Sequence, residues 1–160
     1  TLSAFYGFVS GDRNPNDNTD NRFERFFGFA RPWSPADYLI MENVKAPKLV
    51  FEFSPHKDVS IDGGYSWFWL ASTTDRFNNL MNVSTPTVFN RDSTGQSGDF
   101  IGQSINARIN YKLAPLIDVT IGYSRFMNGG FVKNRQLAAF GEADGGSNFF
   151  YAEISVRAFK

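Results

Sequence analysis

The chain has 160 residues, and its 16 basic and 16 acidic side chains cancel, so no net charge points toward nucleic acid or another polyanion. It contains no cysteine, which excludes disulfides, thiolate metal sites and cysteine nucleophiles, and it has a single histidine, His56. The 18 Phe, 6 Tyr and 3 Trp far outnumber the 8 Leu expected to dominate a helical core, and the apolar runs fall well short of the roughly 20 residues a membrane-spanning helix needs. If this chain crosses a membrane, it does so with strands.

The segment Thr1 to Gly7 lacks the basic start and long apolar stretch of a signal peptide. Apolar residues then recur with the period of two that marks a strand with one apolar face. The first such segment, Leu2 to Ser10, aligns Leu2, Ala4, Tyr6 and Phe8, although Phe5 and Val9 occupy the other face. Residues 11–45 follow as a long polar loop. The second strand, Lys48 to Ser54, sets Leu49, Phe51 and Phe53 against Lys48, Val50, Glu52 and Ser54, and a short turn at Pro55 to Asp58 leads to the third. That strand, Val59 to Ala71, sets Val59, Ile61, Gly63, Tyr65, Trp67 and Trp69 against Ser60, Asp62, Gly64, Ser66, Phe68 and Leu70. After a second long loop near 72–99, the fourth strand alternates most cleanly. From Phe100 to Lys112 it opposes Ile101, Gln103, Ile105, Ala107, Ile109 and Tyr111 to Gly102, Ser104, Asn106, Arg108, Asn110 and Lys112. A short turn at Leu113 to Leu116 precedes the fifth, where Ile117, Val119, Ile121 and Tyr123 oppose Asp118, Thr120, Gly122 and Ser124. The third long loop spans 127–148. The sixth strand then sets Phe150, Ala152, Ile154, Val156 and Ala158 against Tyr151, Glu153, Ser155 and Arg157.

Long loops in a compact soluble domain count against strand assignments, whereas a membrane barrel alternates short periplasmic turns with long extracellular loops. The polar face is rich in Ser, Thr, Asn and Gly rather than the dense Lys and Glu of a water-facing sheet. Trp67, Trp69, Tyr111, Tyr123 and Phe150 fall where aromatic girdles would lie. The pattern therefore predicts an all-β fold, an antiparallel up-and-down transmembrane β-barrel segment of about six strands occupying residues 1–160. Leu49, Phe51, Phe53, Ile105, Ile109, Ile121, Ile154 and Val156 are expected to face lipid. Six strands leave two edges whose unpaired backbone groups lipid cannot satisfy, so the chain is expected to be the C-terminal part of a larger barrel or a subunit whose edges pair with other chains.

Tyr6-Gly7-Phe8-Val9-Ser10-Gly11-Asp12, then Asn14-Pro15 and Phe23-Glu24-Arg25-Phe26-Phe27, resembles the strand and loop opening the C-terminal part of alginate-export-type outer-membrane proteins. Phe68-Trp69-Leu70-Ala71 with Asp75, Ile101-Gly102, and Gly122-Tyr123-Ser124-Arg125-Phe126-Met127-Asn128-Gly129-Gly130-Phe131 keep the family's order. No single motif is stringent; order and spacing over nearly the whole chain carry the resemblance. The chain departs from the family at Gln103-Ser104-Ile105-Asn106-Ala107, where acidic residues are usual, and in ending Ala158-Phe159-Lys160 rather than on an aromatic. The resemblance implies a Gram-negative outer-membrane barrel, porin-like, that exports an acidic polysaccharide such as alginate.

Arg108, Lys112, Arg157 and Lys48 fall on the polar face with Glu52, Asp62, Asp118 and Glu153. They form either a basic lumen that concentrates anions or a set of mutually neutralising pairs. Arg108 and Glu153 lie nearest mid-strand and are expected to pair at a constriction. Arg22, Arg25, Phe26, Arg31 and Trp33 make a candidate glycan vestibule, since aromatic faces stack on sugar rings and arginine forks bind carboxylates; the alternative is a loop with its own small core. Asp12, Asn14, Asn16 and Asp20 place oxygens at alternate positions but lack the glycine and distal Glu of a calcium loop, so they are only a weak calcium candidate. His56 sits in a short turn with no nucleophile or orienting carboxylate to complete a catalytic set. Phosphate loops, dinucleotide fingerprints and nucleic-acid modules are missing from the sequence. The expectation is a non-enzymatic channel without cofactor, whose partners are outer-membrane lipid, a polar or anionic solute and further barrel strands, with no nucleic acid. The competing expectation is a structural barrel subunit anchoring a larger outer-membrane assembly.

Overall fold

The computed structural model describes residues 1–14, 17–23, 39, 41–77 and 90–158. Six strands form one antiparallel sheet in the order β1-β2-β3-β4-β5-β6: β1 (Leu2–Val9), β2 (Val44–His56), β3 (Val59–Leu70), β4 (Phe100–Ala114), β5 (Ile117–Asn128) and β6 (Gly146–Val156). Every strand pairs with its sequence neighbour, which is the up-and-down meander the alternation predicts. Lys57 and Asp58 make the turn between β2 and β3, and Pro115 and Leu116 that between β4 and β5. The longer segments between β1 and β2, between β3 and β4 and between β5 and β6 all leave from the opposite end.

The register sorts side chains into two faces. Across one face run the rows Phe51, Gly63, Ala107, Tyr123, Phe150 and Phe53, Ile61, Ile109, Ile121, Ala152. All eight residues expected to face lipid are on it, and each is exposed, from 44% at Leu49 and Ile105 to 70% at Ile154. Their exposure matters because an apolar face of this extent on a water-soluble sheet would be covered by a second layer. The hydrophobic core lies on the other face, and only toward the long-loop end, where Val9, Val44, Ala46, Phe68, Leu70 and Phe126 pack with Leu39, Phe77, Phe131 and Val132.

Phe131 and Val132 belong to a helix the sequence reading placed within a loop, α1 (Gly130–Phe140), which packs on β4 and β5. It ends at Gly141, whose φ of 79° is the left-handed conformation glycine adopts freely, and whose N–H donates to Leu137 O at 3.0 Å. Strand boundaries also differ from expectation: β2 runs from Val44 to His56, β4 continues to Ala114, β5 continues to Asn128, and β6 begins at Gly146. Pro47 is accommodated in β2 opposite Tyr6, and Lys45 and Arg125 lie on the apolar face, so simple alternation fails to reach these ends.

Candidate functional site: the polar inner face

The polar face of the strands changes character along its length. At the short-turn end, Arg157 forms an ion pair with Asp118, which lies directly across from Lys112. These residues, with His56, Lys57 and Asp58, line a recess of about 440 Å³. One row inward, Asn110 donates to Ser60 Oγ at 3.3 Å, and Thr120 donates to Asn110 Oδ1 at 3.0 Å. Glu153 is the register partner of Thr120 and accepts a hydrogen bond from Ser155 at 3.0 Å.

The next row carries the densest charge. Glu52 faces Asp62 across β2 and β3, and Asp62 faces Arg108 across β3 and β4. Arg108 Nε reaches both carboxylate oxygens of Asp62, at 2.9 and 3.2 Å, and Asn110 donates to the same carboxylate at 3.3 Å. Like charges directly across a sheet repel, so Arg108 offsets the Glu52–Asp62 opposition. The row continues through Gly122 to Tyr151. A Cβ at Gly122 would collide with the Tyr151 ring, so glycine is what lets that ring lie across β5 toward Arg108, the register partner of Gly122. Lys48 passes over Gly64 and lines a recess of about 150 Å³ with Asp62 and Arg108.

Beyond this row the wall closes. Ser66, Ser104, Asn106 and Ser124 are buried, with Ser124 donating to Asn106 Oδ1 at 2.5 Å. The hydrophobic core and α1 lie over the inner face past that point. Arg108 is therefore held by Asp62 rather than by Glu153, which sits one row nearer the short turns. The expected Arg108–Glu153 pair does not form, because the register offset between β4 and β6 that separates them cannot be read from periodicity alone.

The long loops are tied together by buried polar groups. Asp75 accepts from the Asp12 backbone N–H at 2.8 Å and pairs with Arg22 at 3.4 Å. Asn43, at a φ of 49°, accepts from Ser72 N–H at 2.7 Å and donates to the carbonyls of Ser72 and Arg76, locking the start of β2 to the end of β3. Burial pushes the Asp92 carboxyl up, but donation from the side chains and backbones of Ser97 and Thr94 outweighs it and holds the group well below the usual carboxylate range. Asn134 and Arg135 of α1 bond to Ser97, joining the helix to that knot.

Of the glycan-vestibule candidates, Arg25, Phe26, Arg31 and Trp33 lie outside the described residues. Arg22 joins Asp12, Asp20, Asp75, Arg76 and Arg91 around a recess of about 310 Å³ in the loops. Asn16, one of the weak calcium candidates, also lies outside the described residues. Asp12 Oδ1 accepts from Asn14 N–H at 3.2 Å. Asp20 is occupied by Arg22, whose backbone N–H and guanidinium hold its carboxyl below the usual range. Among the described residues, no group of three or more acidic or histidine side chains is placed to hold a metal ion. His56 is the exposed last residue of β2 rather than part of the turn, and it accepts from the Asp58 N–H. The loop knots escaped sequence reading because their partners are as much as 63 residues apart.

No helix among the described residues is long and apolar enough to cross a membrane. A family model described as alginate export matches residues 1–145. No curated protein matches the chain.

Proposed function

Because the chain belongs to the alginate-export family, whose members are outer-membrane transport proteins, we propose that it forms part of the wall of a Gram-negative outer-membrane channel. The solute is polar or anionic, with an acidic polysaccharide the family's own cargo class. The observation that carries this reading is the division of the sheet into an exposed apolar face and an inner face holding Lys48, Glu52, Asp62, Arg108, Lys112, Asp118, Glu153 and Arg157. Acidic and basic groups are interspersed there, with Arg108 beside Asp62 and Asp118 between Lys112 and Arg157. A hydrated, mixed-charge wall replaces water around a charged polymer without trapping it, and passage of this kind requires no covalent chemistry. Arg108 supplies an anion-attracting point at the height where the wall narrows beneath the loop core, with Asp62 setting how much of its charge the solute meets.

The open edges of β1 and β6 carry unpaired backbone groups that a bilayer cannot satisfy, so further strands close the barrel, contributed by the same protein or by other subunits. A second reading has its own support: the loop core over the inner face suits a plugged barrel that anchors a larger assembly. Planar-bilayer recording on the complete barrel separates the two. Steady single-channel current, reduced by added oligouronate, is the result expected of an export channel. Insertion without conductance favours the structural role.

A further inference from the structure

The apolar outer face is broken at one place by an uncompensated polar cluster. Arg125 is exposed on that face near the long-loop end of β5, between Ile105 of β4 and Asn148 of β6. Tyr123, two residues toward the short turns on the same face, donates its hydroxyl to Asn148 Oδ1 at 2.7 Å, which orients the amide and leaves Nδ2 to donate outward. Gln103 lies across from Met127, the next outward residue of β5, and its amide reaches that sulfur only weakly, at 3.9 Å. Lys45 adds a second cation on the same rim of β2, beside Trp69. The strands place no Asp or Glu on this face, and among the described residues no carboxylate pairs with Arg125 or Lys45.

A lone guanidinium beside lipid is costly at the midplane, but at the rim it reaches the headgroup layer, where anionic phosphate is its natural counter-ion. The rows just below it, Tyr123 with Phe150 and Ile121 with Ala152, present an aromatic and aliphatic bed for acyl chains. We propose that Arg125, Asn148 and Gln103 form a binding site for the phosphate of a phosphorylated glycolipid in the leaflet on the long-loop side, with Arg125 as its charged fork and the Tyr123–Asn148 hydrogen bond positioning the amide. The site rests on the membrane-spanning reading above but is independent of what the channel carries.

The test is native mass spectrometry of the complete barrel, released from detergent with diphosphoryl lipid A or with the same lipid dephosphorylated. Insertion of each protein into vesicles is scored first by heat-modifiable gel migration. The wild type should retain the phosphorylated lipid and not the dephosphorylated one. Arg125→Gln should weaken retention by about tenfold, the scale of one lost charge-assisted phosphate contact, and Arg125→Lys by less. Lys133→Gln on the exposed face of α1 should behave as wild type. Equal retention of the two lipids by the wild type, which needs no variant to fold, overturns the site, as does unchanged retention by Arg125→Gln. Failure of the wild type to insert refutes the membrane reading instead.

Discussion

Replacing Ile109 with arginine tests the lipid assignment with a magnitude that only one environment produces. Ile109 lies between Ile61 and Ile121 in its row and is 48% exposed, so an arginine there meets the surroundings rather than a packed neighbour. The outward apolar positions of β4 run from Ile105 to Leu113, placing Ile109 four residues from each end. At a rise of about 3.3 Å per residue this is about 13 Å along the strand, or about 10 Å of membrane height for a strand tilted by about 40°. Ile109 then sits near the midplane, where arginine costs about 2 to 4 kcal/mol. If the same face met water, an exposed substitution would change stability by no more than about 0.5 kcal/mol. Equilibrium unfolding of the complete barrel from lipid vesicles reads the difference, with Gln103→Arg at the rim as the depth control costing about 0 to 1 kcal/mol. A loss below about 1 kcal/mol for Ile109→Arg, or an equal loss for Gln103→Arg, would refute the argument.

Arg108→Ser should leave the barrel folded while shifting its reversal potential in asymmetric salt toward cation preference, because Glu52 and Asp62 lose their counter-charge; an unchanged potential would show that Arg108 acts only structurally. Gly122→Val should displace the Tyr151 ring and shift the potential in the same direction by a smaller amount, whereas Tyr151→Ala should remove that sensitivity to Gly122→Val. Asp92 has a depressed carboxyl pKa in the folded loops, so its contribution is complete above the ordinary value of about 3.9 and is lost only as pH falls through the lower folded value. Resistance of the loop knot to an acid-active protease should therefore be as high at pH 5 as at neutral pH, and Asp92→Asn should weaken that knot by on the order of 2 kcal/mol. Protease added to intact cells should cut near Asn18, Asn90 or Gly141 and spare residues 55–58 and 113–116; cleavage at the short turns would invert the topology.

Much of the sheet was legible because a half-lipid, half-lumen strand obeys the simplest pattern a sequence can carry. Ile105, Ala107, Ile109 and Tyr111 against Asn106, Arg108, Asn110 and Lys112 fix both faces of β4 without any tertiary information. The pattern fades where the physics changes. Lys45 and Arg125 stand on the outer face because the rim is polar, so the ends of β2 and β5 look like loop. Helix α1 shows no apolar stripe, since only Phe131 and Val132 are buried, and its one local signal is Gly141 at the C-terminus. The inner-face charges were legible as a set, but which acid meets Arg108 depends on register, and the knot of Asp12, Asn43 and Asp75 depends on loops meeting over the sheet.

The chain has no cysteine, so single cysteines can be placed along β4 of the complete barrel in membranes, from Ile105 to Lys112, and exposed to a charged, membrane-impermeant thiol reagent. The account predicts a period of two below the buried Asn106: positions 108, 110 and 112 react from the aqueous lumen, while 105, 107, 109 and 111, bathed in lipid, do not. Uniform labelling of both sets, or labelling of the apolar set alone, would contradict a lumen lined by Arg108 and a lipid face built on Ile109.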